Sequence, residues 1–372
     1  GNLLHRDMLV ESDSEPYYVA KQGEQEKKKE FMATTDTWFR PANFSVGPDG
    51  YLYVIDMYRQ HIETPLSIPE DLQTDMDMNA GNTMGRIYRI VPANDNKAKS
   101  VKADLKNASA AQLVETLSHK NRWWRTTAQR LLLERQDKSV IPMVKTLFAE
   151  SSDPRTRLHV LYVLEGMDAL DAGIVKEALM DPSPGVRENA AILAEKFPAC
   201  LSQLQQLVED NSIRVAYQAT LSLGEFKDKG IIPWLAKSVV LHGKSKWFRA
   251  AVLSSDAGSS IELLDALSNS NFADKAADWK TDFYKELAET IGARNQKAQV
   301  AALLQQSGQN TITQLPNAQA AIVKGLSAGL QNAKGTSDEA KEKLKAIGTA
   351  TDNDAAKSLD DLKKVYSEID VK

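Results

Sequence analysis

The sequence predicts a mainly α protein, in which a right-handed solenoid of helix hairpins follows a small antiparallel β region. Three observations lead to this fold class. A motif centred on arginine recurs through the middle of the chain, a shorter amphipathic segment precedes each copy, and strand-like alternation is confined to about the first 92 residues. With 372 residues the chain is long enough for two or more domains.

The arginine motif has the spacing of a structural repeat. Successive motif arginines are 32, 30, 27 and 35 residues apart, within the period range of helical solenoids. Mostly apolar residues stand one position before and three and seven positions after each arginine, along one face of a helix. The paired segments resemble HEAT repeats, in which each helix hairpin buries its face on the next. The motif arginines are Arg125, Arg157, Arg187, Arg214 and Arg249.

Two roles are open for these arginines. They could form a basic ladder along a concave binding groove, or they could join neighbouring repeats by pairing with aspartates in the turns. Asp153, Asp181 and Asp210 precede three of them, and this favours the second, structural role.

Helix starts can be read at several positions. Ser109 and Gln112 have the spacing of a capping box. The pairs Asp153-Pro154 and Asp181-Pro182 predict helices that begin with an aspartate cap followed by proline.

The repeat weakens after about residue 256. Residues 271–295 predict a long helix that pairs with 259–269, and further helices are predicted at about 317–333, 336–348 and 354–369. The apolar stripes of these last helices are thin, as is typical of the capping end of a solenoid. A linker to a further domain is the alternative.

The β region is predicted from one turn and several strands. The letters "GPDG" at 47–50 form the turn, and "YLYVID" at 51–56 alternates as a strand does. A second strand is predicted in "GRIYRIVP" at 85–92, with two more in 2–12 and 16–22. Four short strands amount to one propeller blade, whereas a propeller needs about four blades or more. The chain therefore cannot close a propeller by itself.

Composition and charge exclude several classes of function. The formal net charge of −4, without a clear basic patch, argues against nucleic-acid binding. No apolar run reaches the roughly 18 residues of a membrane-spanning helix, and the first residues lack the layout of a signal peptide. A single cysteine, Cys200, rules out an internal disulfide and a CxxCH haem attachment within this sequence.

Calcium is a weak candidate ligand. The oxygen-bearing residues Asp75, Asp77 and Asn79 alternate as calcium ligands can. The glycine expected at the sixth loop position is missing, however, and Arg86 stands at the twelfth, where an acid is needed. A loop with helix-capping aspartates is the favoured alternative, and the scattered histidines predict no metal site.

The run from Arg40 to His61, with "NLLHRDML" before it and "GRIYRIVP" and "NRWWRTTAQRLLLER" after it, closely resembles a family of exported bacterial proteins. Members are labelled membrane-bound dehydrogenase domain proteins or haem-binding CxxCH proteins. They join a quinoprotein-dehydrogenase-like β-propeller to HEAT repeats and a C-terminal c-type cytochrome. The resemblance covers residues 1–135 well and the rest only as generic HEAT sequence.

This resemblance implies three regions. Residues 1–95 would be a partial propeller blade with long loops, 105–292 a HEAT-like α-solenoid, and 295–372 a helical C-terminal cap or linker. The earlier blades and the CxxCH motif are not in the sequence, so we expect a central piece of such a protein.

The resemblance also implies where chemistry could occur. Loops after the strand 51–56 would face the central opening of the propeller, where related quinoproteins bind cofactor and substrate. An arginine–aspartate–histidine set there could hold an anionic quinone or abstract a proton from an alcohol. Alternatively, these residues only satisfy the backbone and fix the blade turns. The candidate pocket residues are Arg40, Asp56, Tyr58, Arg59, His61 and Arg86.

Three functions follow as hypotheses. The first is a non-catalytic scaffold region of an exported dehydrogenase–cytochrome protein, and the second is part of an active sugar or alcohol dehydrogenase that passes electrons to haem. The third is an interaction protein that keeps the blade only for packing. No cofactor is expected in this chain itself, whereas c-type haem and a quinone are implied for the parent protein. The expected partners are the other blades and the cytochrome domain, or another protein, in the periplasm or otherwise outside the cytoplasm.

Overall fold

The computed structural model describes residues 2–62, 64–94 and 101–369. Residues 1 and 95, at the ends of the predicted blade, and residues 370–372 of the predicted C-terminal region lie outside these ranges. The chain is 56% helical, and 17 helices follow a small antiparallel β region in the described residues. The predicted fold class, mainly α with a short β part, is confirmed.

The chain divides into two compact units. Unit 1 comprises Gly1–Glu11 and Tyr18–Leu170, and unit 2 comprises Ser12–Tyr17 and Asp171–Lys372. The division into blade, repeats and cap stays a prediction about sequence regions.

The strands of unit 1 form three antiparallel sheets. A short pair joins β1 to β4, β2 and β3 form a hairpin, and a three-stranded sheet has the order β5-β6-β7. The strands are β1 (Leu3–Leu4), β2 (Asp7–Glu11), β3 (Tyr18–Gln22), β4 (Met32–Ala33), β5 (Pro41–Val46), β6 (Leu52–Asp56) and β7 (Arg86–Ile90). The four predicted strands do not form one sheet, because β2 and β3 form a two-stranded sheet of their own while β6 and β7 belong to the three-stranded one; the partial blade stays a prediction. The sequence analysis also did not identify β5 as a separate strand.

The helices of unit 1 form a short α1 and two packed pairs. Their bounds are α1 (Glu70–Gln73), α2 (Ala110–Thr116), α3 (Arg122–Arg135), α4 (Ile141–Glu150) and α5 (Pro154–Gly166). Each of α2 and α4 packs on the helix that follows it, and α3 packs on α5. Residues such as Leu132 and Val160, on the predicted apolar stripe, are buried between them.

The predicted helix caps are confirmed in part. The Ser109–Gln112 capping box begins α2, and Asp153 caps α5 with Pro154 in the first turn. Asp181 does not cap the next helix. Its side chain accepts a hydrogen bond from the Ser183 amide in the preceding turn, and the helix begins at Pro184.

Unit 2 continues the alternation of paired helices. Consecutive helices α6 and α7, α8 and α9, and α10 and α11 pack together, while α9 packs on both α7 and α11. The bounds are α6 (Ala172–Leu179), α7 (Pro184–Ala194), α8 (Leu201–Gln206), α9 (Ile213–Leu223), α10 (Ile232–His242), α11 (Lys246–Leu253), α12 (Ile261–Ser268), α13 (Asp278–Arg294), α14 (Lys297–Gln306), α15 (Asn310–Thr313), α16 (Ala318–Asn332), α17 (Asp338–Ile347) and α18 (Ala355–Glu368). In the described residues we find no helix long and apolar enough to cross a membrane.

The closest helix packing in unit 2 is between α13 and α16, not between α13 and α12 as sequence order suggested. Two glycines make it possible. A Cβ atom at Gly325 would overlap the Lys285 carbonyl oxygen, and one at Gly329 would overlap the Glu289 carbonyl oxygen and lie 2.7 Å from the Ala293 nitrogen. Since both obstacles are backbone atoms, only glycine lets the two helices approach this closely.

We expect Gly329→Ala to lower the free energy of unfolding of unit 2 by about 2 kcal/mol, the usual cost of overpacking a filled interior. Urea unfolding followed by circular dichroism measures this. Gly308→Ala is the matched control, because a Cβ there meets nothing within 4 Å. Equal effects of the two substitutions would show that the close approach of α13 and α16 is not a constraint.

Unit 2 also contains a buried histidine that makes its stability depend on pH. His242 stacks on Phe248 with ring centroids 4.5 Å apart, and its Nε2 donates to the Val208 carbonyl at 3.2 Å. Burial lowers the pKa of His242 below its ordinary value of 6.5. The unfolded chain therefore binds a proton more readily than the folded one, and stability falls as the pH drops below the unfolded pKa.

We predict that unit 2 loses stability as the pH falls through about 6.5, the unfolded pKa, by at most about 1.4 kcal/mol per pH unit from this group. Hydrogen exchange of the α10 and α11 amides across a urea series gives the unfolding midpoint, and its change with pH measures the loss. His242→Gln keeps a donor for Val208 but does not titrate, so its pH dependence should be flatter. His5→Gln should not flatten it, because hydrogen bonds to Glu30 and Asp7 raise the pKa of His5. Identical slopes in wild type and His242→Gln would refute the assignment.

Candidate functional site

Asp56 is the centre of the predicted pocket residues. It ends β6 and is fully buried, opposite Arg86 in the sheet register. Its Oδ1 accepts hydrogen bonds from the backbone amides of Arg40 at 2.7 Å and Tyr58 at 2.8 Å. Its Oδ2 is buried and has no hydrogen-bond partner among the described residues. The carboxylate thus joins the start of β5 to the turn after β6.

The guanidinium groups of Arg40 and Arg59 also bind backbone. Arg40 donates to the carbonyl oxygens of Thr37, Phe39 and Gln60. Arg59 donates from Nη2 to the Met78 carbonyl at 2.7 Å, while its Nε is buried without a partner in the described part of the chain. Both arginines therefore fix the loops that flank β6.

Tyr58 has a strained backbone and a partnered side chain. Its φ is +46°, in the left-handed region that costs a non-glycine residue about 1 kcal/mol. The hydrogen bond between its phenol and the Asp36 carboxylate raises the pKa of Tyr58 above its ordinary value. The Arg86 guanidinium carbon lies 3.5 Å from the centre of the Tyr58 ring. Asp36, Tyr58 and Arg86 thus form one polar cluster.

Asp36 also lines a small cavity next to this cluster. The cavity has a volume of about 210 Å³ and is lined by Met32, Ala33, Thr34, Asp36, Phe39, Tyr88 and Ile90. This volume gives room for a small organic group. The walls are mainly apolar, and Asp36 supplies one carboxylate. Sequence reasoning missed Asp36. The one signal in the sequence was its place two residues before Trp38. The Asp36 carboxylate accepts a hydrogen bond from the Trp38 amide at 2.9 Å.

The structure brings only some predicted residues together. Asp56, Arg40 and Tyr58 are hydrogen-bonded as described, and Arg86 covers Tyr58. His61 is half-buried in the loop after β6, but the bonds of Asp56 Oδ1 go to backbone amides and not to this imidazole. An Asp56–His61 proton relay is therefore not formed in this geometry. A catalytic role for these six residues stays a prediction.

The calcium candidates lie in a loop with turn geometry. Asp77 Oδ1 accepts the Asn79 amide at 2.9 Å, and the Ala80 amide bonds to the Asp77 carbonyl. Within residues 2–62, 64–94 and 101–369, no group of three histidine, cysteine, aspartate or glutamate side chains is placed to hold a metal ion.

The motif arginines bind mainly inside the helical repeats. Arg187 pairs with Asp210 at 2.7 Å, Arg214 with Glu188 at 2.6 Å, and Arg249 with Glu286 at 2.8 Å. Asp153 pairs with Arg155 rather than with a motif arginine. These contacts favour the structural role, although the acids of Arg214 and Arg249 are not the turn aspartates that sequence reasoning proposed.

We predict that Asp56→Ala destabilises the sheet of unit 1 by about 2 kcal/mol, because two half-buried backbone amides lose their acceptor. Hydrogen exchange of β6 across a urea series measures this. Asp77→Ala removes the same kind of bond from an exposed loop and should cost no more than about 0.5 kcal/mol. If the two variants lose equal stability, Asp56 is not the residue that fixes the turn.

Comparison with known families reaches only the β region. Residues 1–94 match a family model described as a domain of unknown function, DUF7133. The match contains β1 to β7 and all six predicted pocket residues, and it ends before α2. No curated protein matches the chain. The β region is thus similar to a domain to which that description assigns no activity.

Proposed function

We propose that this chain is a non-catalytic scaffold that holds a propeller blade on a HEAT-like helical array, within an exported dehydrogenase–cytochrome protein. In this role it fixes the blade relative to an electron-accepting c-type cytochrome or docks another protein. The parent protein carries the c-type haem and a quinone, and it acts in the periplasm or otherwise outside the cytoplasm.

The observation that carries this proposal is the join between the sheet and the first helix pair in unit 1. Asn121, the N-cap of α3, donates from Nδ2 to the carbonyls of Gly47 at 2.9 Å and Pro48 at 3.1 Å. The Trp124 indole donates to the same Pro48 carbonyl at 2.9 Å. The turn between β5 and β6 is therefore bonded to the helix, as a scaffold that positions a blade requires.

Exposed apolar side chains on the three-stranded sheet support the partner part of the proposal. Ile55 and Ile87 face each other in the register of β6 and β7, and Ile87 is 67% exposed. On the opposite face Phe44, paired with Val54, is 61% exposed. A blade inside a propeller covers both of its faces with neighbouring blades, so other blades are the partner that fits this sheet.

The alternative is that the chain forms part of an active quinoprotein-like sugar or alcohol dehydrogenase. The cluster of Tyr58, Asp36 and Arg86 beside a cavity is the observation that favours it. The scaffold is preferred because Arg40, Asp56 Oδ1 and Arg59 Nη2 bind backbone groups, while the remaining Asp56 Oδ2 and Arg59 Nε atoms are buried.

The test starts from the native host. An antibody raised to this chain should detect a polypeptide larger than this one, and the reduced-minus-oxidised spectrum of the purified protein should contain a c-type haem band. The chain by itself, with added quinone and a dye acceptor, should oxidise neither aldoses nor alcohols.

A haem-free protein of about this mass would remove the dehydrogenase from the proposal. Turnover by the chain itself would overturn the scaffold role in favour of the enzyme. In that case Tyr58→Phe should lower kcat, whereas Tyr18→Phe, an exposed tyrosine on β3, should not.

A further inference from the structure

The motif arginines share one hydrogen bond whose geometry recurs along the chain. The Nη1 atoms of Arg125, Arg157, Arg187 and Arg249 each donate to the carbonyl oxygen six residues earlier, at 2.7 to 3.1 Å. This bond ties each arginine to the turn before its helix. It also fixes the orientation of the guanidinium group, so that the Nε–Nη2 edge points away from that turn.

In unit 2 this second edge binds a carboxylate. Arg187 donates to Asp210 from Nε at 2.7 Å and from Nη2 at 2.8 Å. Arg249 donates to Glu286 from Nε at 2.8 Å and from Nη2 at 3.0 Å. Two parallel N–H bonds to one carboxylate are the strong, geometrically specific form of arginine pairing.

Arg125 has the first bond but not the second. Its Nη1 donates to the carbonyls of His119 and Lys120, both at 2.8 Å. The residue is only 6% exposed, and its Nε is buried with no hydrogen-bond partner among the described residues. A buried guanidinium nitrogen that lacks an acceptor is costly. In Arg187 and Arg249 the corresponding Nε binds a carboxylate.

The one carboxylate at the corresponding place is already bound elsewhere. Asp153 precedes Arg157 by the same four residues by which Asp210 precedes Arg214. It accepts from Arg155 Nε at 3.0 Å and Nη2 at 2.8 Å, and from the Arg155 amide at 2.9 Å. Asp153 therefore leaves Arg125 unpaired.

Positive charge is concentrated around this unpaired edge. The helices α3 and α5 pack on each other, and a hydrogen bond joins His159 of α5 to Gln129 of α3. Burial and the positive charges of Arg155 and Arg122 lower the pKa of Arg125, and the negative charge of Asp153 offsets part of this lowering. Burial and the charges of Arg125 and Arg122 likewise lower the pKa of His159.

We propose that Arg125, with Arg122 and Arg155 beside it, is a binding site for a carboxylate that comes from outside the repeat. The ligand is either a small free carboxylic acid or an acidic side chain of a protein segment. The carboxylate of the ligand accepts hydrogen bonds from Nε and Nη2 of Arg125, as Asp210 does from Arg187. Arg122 and Arg155 add electrostatic attraction at longer range.

The experiment follows the arginine Nε–H signals of the full chain by two-dimensional NMR. Sodium glutarate is the small-acid probe and a short polyglutamate peptide is the protein-like probe, each compared with sodium chloride at equal ionic strength. The Arg125 signal, identified by its absence in Arg125→Lys, should shift in a saturable way. If both probes shift the Arg125 signal, the ligand is a free carboxylic acid. If the peptide alone shifts it, the ligand is an acidic protein segment.

Two variants and one control test the assignment. Arg125→Lys keeps the charge but loses the Nε–H group, and binding, followed through the remaining arginine signals, should weaken about tenfold. Arg122→Gln changes an exposed residue, so the fold is preserved, and should weaken binding about threefold. Arg130→Lys, on the same helix with Glu134 as its partner, should bind as wild type does. The site is overturned if neither probe shifts the Arg125 signal beyond the chloride control, or if Arg125→Lys binds as well as wild type.

Discussion

The hydrogen bonds between the turn at 47–50 and the start of α3 are the contacts on which the sheet of unit 1 depends. The core of this sheet is small, with Leu4, Phe39 and Val54 as its buried residues. A third strand or a packed helix adds stability that a two-stranded hairpin lacks. Asn121 and Trp124 provide this packing by binding the carbonyls of the turn. The sheet is therefore joined to the first helix pair through the backbone of its own turn.

The turn can accept these bonds because Asp49 holds it rigid. The Asp49 carboxylate accepts hydrogen bonds from the Tyr53 hydroxyl at 2.7 Å and from Arg89 Nε at 2.8 Å. Gly50, with φ of +85°, closes the turn in a conformation that other residues rarely adopt. Since Arg89 lies on β7 and Tyr53 on β6, the carboxylate joins the turn to two strands. The rigidity of the sheet is thus transmitted to the helix through one loop.

The sequence predicted those features of the fold that depend on residues close to one another along the chain. The helical periods, the Ser109 capping box and the strands β6 and β7 could be predicted because each depends on residues close in sequence. The partner of α13 could not, since the role of Gly325 and Gly329 becomes visible only when the backbone of α13 lies against them. Asp36 was missed for the same reason, because its partner Tyr58 is far along the chain. The acids bound by Arg214 and Arg249 likewise come from outside the turns that precede these arginines.

The start of α3 contains both the contact with the β5–β6 turn and the arginine whose Nε has no partner. Asn121 binds the sheet, and Arg122 and Arg125 lie within four residues of it on the same rigid helix. A carboxylate bound at Arg125 would act on the helix end that binds the β5–β6 turn, whereas Arg187 and Arg249 in unit 2 already have carboxylates from their own chain. In a repeat array each unit contacts only its neighbours, so a missing contact in one unit is not made up by a distant one. Within the described residues, the first repeat thus carries a buried arginine nitrogen without an acceptor, whereas the guanidinium edges of Arg187 and Arg249 are filled.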